Sequence, residues 1–91
     1  MSVYQDALTK WGEGAQIEQM KEEAAELIVA LQKLRRHGDM TQKIAAVVDE
    51  LADVEIMLEE MKLIFPREDI EARKKFKLAR LRRRLDGVEV G

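Results

Sequence analysis

Two long runs of apolar residues at helical spacing, separated by a short polar link, constrain the fold of this chain more than any other feature. In each run the apolar residues recur every three or four positions, which predicts an apolar stripe along an amphipathic helix. The first stripe lies within residues 15–37 and the second ends near residue 64: Ile17, Met20, Ala24, Leu27, Ile28, Leu31 and Leu34, then Ile44, Val47, Val48, Leu51, Val54, Leu58 and Met61. Gly38 and Met40 flank Asp39 in the link, and Asp39 or Thr41 can cap the second helix. Such a short link predicts an antiparallel helical hairpin.

Shorter helices are predicted on both sides of this hairpin. Residues 3–11 form a leading segment that is closed by a glycine break at residues 12–14. Pro66 cannot continue the second long helix, but it suits the first turn of another helix, which is expected to run to about Leu85. This last helix is rich in Lys and Arg. The residues beyond Gly87 are predicted to fray.

The chain is expected to form one all-α domain over residues 1–91, with an ordered core of about residues 3–85. A domain of 91 residues buries only a modest apolar area. One hairpin leaves much of its stripe in water, whereas two hairpins together make a four-helix bundle. We therefore expect a homodimer, or a dimer of dimers. Each chain would contribute an antiparallel hairpin, a short N-terminal helix and a basic C-terminal helix.

Composition excludes several classes of protein. Hydrophobic residues make up 46% and charged residues 37% of the chain, which is too apolar for a disordered protein. Without cysteine there are no disulfides and no thiolate metal sites. The N-terminus has no secretory signal pattern, and no apolar run approaches the about 18 residues of a membrane span. The expectation is a soluble, cytoplasmic protein without a membrane partner.

Acidic residues are paired at i and i+3 on both long helices. Glu23 and Glu26 lie on the first, and Glu50 and Asp53 on the second. Counting about 100° per residue around each helix, both members of a pair fall on the same side of the apolar stripe, at its border. Antiparallel packing brings both pairs to similar heights near the middle of the hairpin, so they can meet.

Four converging carboxylates repel one another unless a positive charge lies between them. A site made only of oxygen ligands suits Mg²⁺, with Mn²⁺ possible, far better than Zn²⁺. Either pair alone is typical of a solvated helix face, and the matched heights of the two pairs favour the metal site. A di-iron bundle would need Glu-x-x-His motifs, and the single histidine, His37, is instead predicted to be a capping cation in the last turn of its helix.

These two acidic segments, residues 22–27 and 49–54, resemble the paired signature of MazG-like nucleotide pyrophosphohydrolases. The resemblance extends to Lys10, Trp11 and Gly12 before the first motif and to the last helix around Lys77 and Arg80, so that it spans about residues 3–85. It implies an all-α fold assembled as a dimer or a larger set of dimers. The implied activity is Mg²⁺-dependent hydrolysis of a nucleoside triphosphate to the monophosphate and pyrophosphate.

The resemblance also implies roles for individual residues. Carried over by position, the metal ligands are Glu23, Glu26, Glu50 and Asp53. Glu22 would orient the attacking water or bind a further ion. Candidates for holding phosphate oxygens are Lys74, Lys77 and Arg80.

Two residues have open interpretations. Trp11, beside two glycines, could stack on a nucleobase, or it could pack against the hairpin as a core residue. Glu55 falls about 40° from the centre of the second apolar stripe, where a carboxylate needs a partner or a wet cavity. It could line the nucleotide pocket or pair across a dimer interface.

Three functions compete at this stage. The first is a house-cleaning pyrophosphohydrolase that acts on ribo- or deoxyribonucleoside triphosphates. The second is the related phosphoribosyl-ATP pyrophosphatase, which usually has a histidine shortly after its second acidic motif, where residues 54–57 of this chain have none. The third is a non-enzymatic helical dimer that binds a protein or nucleic acid through its basic last helix, although a charge run also occurs on a solvated flank. Nucleic acid is not the expected partner.

Overall fold

A computed structural model describes residues 2–87 of the chain and contains four helices. The helices are α1 (Val3–Trp11), α2 (Glu13–Lys33), α3 (Met40–Ile64) and α4 (Arg67–Leu85). No strand occurs within the described residues, so the prediction of an all-α fold is confirmed. The predicted fraying beyond Gly87 lies outside the described residues. None of the four helices is both long and apolar enough to span a membrane.

A single glycine separates α1 from α2. Gly12 has φ +87°, a backbone conformation that L side chains rarely adopt, and its N–H donates to the Leu8 carbonyl at 2.9 Å. At the start of α1 the Ser2 hydroxyl accepts from the Gln5 N–H at 3.2 Å. Gly14 lies inside α2, so the predicted start of this helix near residue 15 was slightly late.

The link between α2 and α3 is longer than predicted. Helix α2 ends at Lys33, and the three following N–H groups donate to carbonyls three residues earlier, which tightens the chain into a turn. The prediction that His37 lies in the last turn of α2 is therefore wrong. The Arg36 carbonyl instead accepts from the Lys43 ammonium on α3. Asp39 caps α3, because its Oδ1 accepts from the Thr41 N–H at 2.9 Å.

Helices α2 and α3 pack as the predicted antiparallel pair, and α1 contacts both. Helix α4 contacts only α3, near the turn at Pro66, where Arg67 Nη2 lies 3.3 Å from the Glu59 carboxylate and Lys62 Nζ lies 3.9 Å from Glu71. The molecule is therefore extended, with a radius of gyration of 16.9 Å. A compact domain of this length has about 12 Å.

The two apolar stripes form only part of the contact between α2 and α3. On α3, four residues of the predicted stripe are exposed: Ile44, Val48, Leu51 and Leu58. The other three, Val47, Val54 and Met61, are half-buried, and Glu50, Asp53, Met57 and Glu60 share that side of the helix. The expectation that the whole stripe faces α2 with the acids at its border is therefore wrong for α3, because α3 is rotated so that Glu50 and Asp53 enter the seam. No side chain of the described residues is completely buried.

Candidate metal centre and adjoining pocket

Carboxylates from both long helices meet in the seam between α2 and α3. The pairing is symmetric about Gly38, so Glu23 lies opposite Asp53 and Glu26 lies opposite Glu50. One oxygen each of Glu23, Glu26 and Glu50 lie within 4.8 Å of one another. A second group with the same spacing consists of Asp49, Glu50 and Asp53, so Glu50 belongs to both. The structure thus brings together the four residues that the sequence predicted as metal ligands.

Two oxygens of this cluster are buried without a hydrogen bond. They are Oε2 of Glu23 and Oε2 of Glu50. The other oxygen of Glu23 accepts from Gln19 Nε2 at 2.8 Å. A buried carboxylate oxygen without a donor is unfavourable, because water no longer solvates it and nothing in the protein replaces the water. Among the described residues, none of the salt bridges involves these carboxylates.

The crowding changes the acidity of the cluster. The pKa of Glu50 rises from its ordinary 4.5 to about 7, first because burial disfavours the charged form and then because the neighbouring carboxylates, Glu26 foremost, repel it. Burial also raises the pKa of Asp53, and the carboxylate of Glu23 adds to this effect. Glu50 and Asp53 therefore hold their protons more tightly than isolated carboxyl groups do.

These residues fit a hard divalent cation. The available ligand atoms are all carboxylate oxygens, and two of them are buried without a hydrogen-bond donor. A cation between the helices would bind those oxygens and remove the repulsion among the carboxylates. Mg²⁺ or Mn²⁺ matches such a set better than Zn²⁺, which prefers nitrogen and sulfur ligands. Asp49 was not predicted as a ligand. Its signal was present in the sequence, since it is adjacent to Glu50 and four residues before Asp53.

Other predicted site residues lie outside the cluster. Glu22 is exposed on α2 and belongs to neither carboxylate group. Lys74, Lys77 and Arg80 lie on α4, which makes no contact with α2 in the described part of the chain. Lys74 and Lys77 border an apolar groove on α4 that also includes Ile70, Leu78 and Leu81. A single chain therefore does not bring these three basic residues to its own carboxylates.

A cavity of about 600 Å³ adjoins the seam where α1 packs against α2 and α3. Tyr4 and Trp11 supply aromatic walls, and Gln16, Gln19 and Glu60 supply polar groups. The Trp11 side chain is 58% exposed, with the Lys10 ammonium 5.4 Å from its ring centroid. Trp11 is therefore not a core residue of this chain.

The floor of this cavity holds a buried polar pair. Gln16 is 7% exposed and Glu60 is 3% exposed. The Gln16 amide lies within hydrogen-bonding reach of both oxygens of the Glu60 carboxylate, and the amide orientation that satisfies both residues turns its nitrogen toward them. Burial raises the pKa of Glu60. This pair was missed in the sequence, although it is symmetric about Gly38 in the same way as Glu23 and Asp53.

Glu55 has a different position from this pair. It is exposed, and it lies between Leu51 and Leu58 on the exposed stripe of α3. It borders a second cavity with Glu59 and Lys62, and it does not line the cavity beside Trp11. Among the described residues, none of the salt bridges involves the Glu55 carboxylate.

Comparisons of the chain with family models, with curated proteins and with solved structures find no match.

Proposed function

We propose that the protein is a Mg²⁺-dependent nucleoside triphosphate pyrophosphohydrolase, which converts a ribo- or deoxyribonucleoside triphosphate to the monophosphate and pyrophosphate. A role in clearing unwanted nucleotides is the matching physiological task. The observation that supports this best is the seam itself, where Glu23 and Glu50 each bury an oxygen without a donor among other carboxylates. The resemblance of both acidic segments to MazG-like enzymes points to the same chemistry.

The residue types suit this reaction. Bound magnesium would hold phosphate oxygens and lower the pKa of a water molecule. Glu23, Glu26, Glu50 and Asp53 would hold the ion, and Glu22 is the candidate for orienting the water. Water adds across the anhydride bond between the α- and β-phosphates, so that one product is the monophosphate and the other is pyrophosphate.

A homodimer is part of the proposal, and the accessible surface supports it. The chain exposes 7243 Å², whereas a compact monomer of 10.5 kDa exposes about 5,400 Å². The excess of about 1,800 Å² is more than the about 800 Å² that each partner buries in a standard interface. Ile44, Val48 and Leu51 form an exposed apolar face on α3 that a second copy would cover, completing a four-helix bundle.

In such a dimer the basic helix of one chain would serve the carboxylates of the other. Lys74, Lys77 and Arg80 have no contact with α2 of their own chain. A triphosphate held by metal ions still carries negative charge on its leaving group, which cations stabilise. We therefore assign the phosphate-binding role to these residues when they are supplied by the partner chain.

The first experiment measures pyrophosphate release from canonical and modified nucleoside triphosphates, with and without Mg²⁺. Wild-type protein should turn over at least one of them only with the metal. Glu50→Gln should abolish turnover and keep the helical circular dichroism. The matched control is Glu18→Gln, an exposed glutamate on the same helix as Glu23 that pairs with Lys21. Wild-type rates in Glu50→Gln would contradict the ligand role.

A second experiment tests the shared site. Glu50→Gln chains are mixed with Lys77→Ala chains after each variant alone has proved inactive. If each site takes carboxylates from one chain and cations from the other, random mixing restores about a quarter of the wild-type sites. Activity that stays at the level of the separate variants would show that α4 does not act across the dimer.

A non-enzymatic module remains the competing function. Basic residues of α4 and its apolar groove could bind a nucleic acid or another protein. This function would predict salt-sensitive binding of nucleic acid that Mg²⁺-site variants leave unchanged, with no metal-dependent turnover of any triphosphate. Phosphoribosyl-ATP is tested beside the nucleoside triphosphates in the pyrophosphate-release assay, because it is the substrate of the related pyrophosphatase.

A further inference from the structure

The cavity beside Trp11 and the carboxylate cluster belong to one continuous seam. Gln16 and Glu23 are two helical turns apart on α2, and Glu60 and Asp53 are two turns apart on α3. Two turns correspond to about 10 Å along the helix axis. Gln19 links the two regions, because it lines the cavity and its Nε2 donates to Glu23 at 2.8 Å. A molecule with a polar anionic end and a flat heterocyclic end would span both.

The cavity has the features of a site for a flat ring. Its volume of about 600 Å³ lies within the usual range for small-molecule pockets. Tyr4 and Trp11 offer aromatic faces, on which a nucleobase stacks favourably. The buried Gln16–Glu60 pair also lines the cavity and supplies hydrogen-bonding atoms for a ligand.

The hydrogen-bonding character of that floor is set by its own internal bonds. The Gln16 amide group has two N–H donors, and its bond to Glu60 uses at least one of them. The acceptors are the Gln16 carbonyl oxygen and the lone pairs of the Glu60 carboxyl group, and they outnumber the remaining N–H. A carboxyl group keeps acceptor capacity in both its ionised and its protonated form. The floor therefore calls for a ligand edge that donates.

We propose that the Gln16–Glu60 pair selects the base of the nucleotide and favours bases with an exocyclic amino group over uracil and thymine. Cytosine presents an amino donor where uracil and thymine present a carbonyl acceptor, and carboxylates accept readily from that amino group. A carbonyl oxygen facing Glu60 would leave two acceptors opposed in a buried site. This inference rests on the proposed function, and it adds the substrate class and two specificity-determining residues.

The sharpest test uses two ligands that differ only at this edge. Binding of deoxycytidine and deoxyuridine monophosphates is measured without metal through the fluorescence of Trp11, the single tryptophan of the chain. The cytosine nucleotide should bind at least about tenfold more tightly, as expected for one hydrogen bond to a charged group. Hydrolysis of the two triphosphates with Mg²⁺ should show the same preference in kcat/KM.

Glu60→Gln is the matched variant, because it keeps the size of the side chain while adding a donor. An amide can turn either its oxygen or its nitrogen toward the base, so the preference should fall to within about twofold of unity. Glu18→Gln, on the exposed side of α2, should keep the wild-type preference. Circular dichroism verifies that both variants retain the helical fold.

Two results would overturn the proposal. One is equal binding of the two monophosphates by the wild-type protein, and the other is an unchanged preference in Glu60→Gln. Failure of the hydrolase function is distinguishable from both. A protein that prefers the cytosine nucleotide by fluorescence but releases no pyrophosphate would retain the base site and lose the proposed reaction.

Discussion

Two glutamates on the chain's longest helix, nine residues apart and therefore on opposite faces, have opposite electrostatic environments. Glu59, near the end of α3, accepts from Arg67 Nη2 at 3.3 Å and from Lys62 Nζ at 3.4 Å, and these cations lower its pKa. Glu50, in the middle of α3, faces other carboxylates, and its pKa is raised to about 7. Residues of one type on one helix thus differ because of what lies opposite them.

The contrast shows that the many cations of α4 do not neutralise the seam. Basic residues are concentrated on α4, and α4 packs where Glu59 is, not where Glu50 is. A repulsive cluster left without counter-charges destabilises the folded state. A bound metal cation would remove the repulsion among the seam carboxylates. The ion pairs of Glu59 need no such cation, because Arg67 and Lys62 already supply the positive charge.

The largest effect should come from converting the seam into an ordinary ion pair. Glu50→Lys places an ammonium opposite Glu26 and removes a ligand that belongs to both carboxylate groups. We expect Mg²⁺-dependent pyrophosphate release to fall by more than about a hundredfold, which exceeds the usual loss from disturbing only the surroundings of a metal. Titration of the Glu50→Lys variant with Mn²⁺ should show that the metal no longer binds. Retained metal binding and turnover in Glu50→Lys would show that Glu50 is not a metal ligand.

Magnesium should stabilise the protein at alkaline pH and much less at acidic pH. At pH 8 Glu50 is ionised and can bind the ion, whereas at pH 5 protons compete for it. A ligand at a hundredfold excess over its dissociation constant adds about 2.7 kcal/mol to the free energy of unfolding. The measurement is the thermal midpoint with Mg²⁺ against NaCl of equal ionic strength. An equal shift at both pH values would indicate a non-specific ion effect.

Without metal, stability should decline as the pH rises from about 4.5 to about 7. The pKa of Glu50 is raised in the folded state, so the folded protein binds more protons than the unfolded chain in this window. Stability from this source is complete below the unfolded pKa and is lost as pH passes the folded one. Thermal midpoints in a chelator should therefore fall by several degrees.

Glu50→Gln provides the control for this pH dependence. Its neutral amide cannot ionise, so the decline should be shallower, and the metal-free variant should be more stable than wild type at pH 8. A decline of the same slope in Glu50→Gln would assign the effect to Asp53 or to other groups.

The helices could be predicted from the sequence because their signals are local. Apolar periodicity, the glycine at position 12 and the proline at position 66 indicated all four elements, and the end of α3 at Ile64 was confirmed. The end of α2 was not predicted correctly. Its last predicted turn is replaced by a tight link in which Lys43, from the next helix, bonds the Arg36 carbonyl, and such a contact leaves no local pattern.

The sequence also predicted that the four carboxylates lie close together, but it did not predict that they lie inside the contact between α2 and α3. Symmetry about a short link fixes which residues share a height, and this is why Glu23 and Asp53 could be matched in advance. The rotation of each helix about its own axis is a separate variable, determined by how all side chains of the seam fit together. The apolar stripes suggested one rotation, and Met57 and Glu60 occupy the seam in another.

The smallest effect is expected from removing the charge of Glu59, which already has two cationic partners. Glu59→Gln removes the two contacts of a partly exposed ion pair, and such pairs contribute little to stability. Because cations lower the pKa of Glu59, its contribution is present above the unfolded pKa of 4.5 and is lost as the pH falls below it. At pH 7 the thermal midpoint should drop by a few degrees at most, the drop should shrink as the pH falls below 4.5, and pyrophosphate release should stay at the wild-type rate. This direction is opposite to that of Glu50→Gln, which gains stability and loses activity. If both variants changed stability and turnover in the same direction, this would contradict the claim that Glu59 is stabilised by cations while Glu50 is repelled by carboxylates.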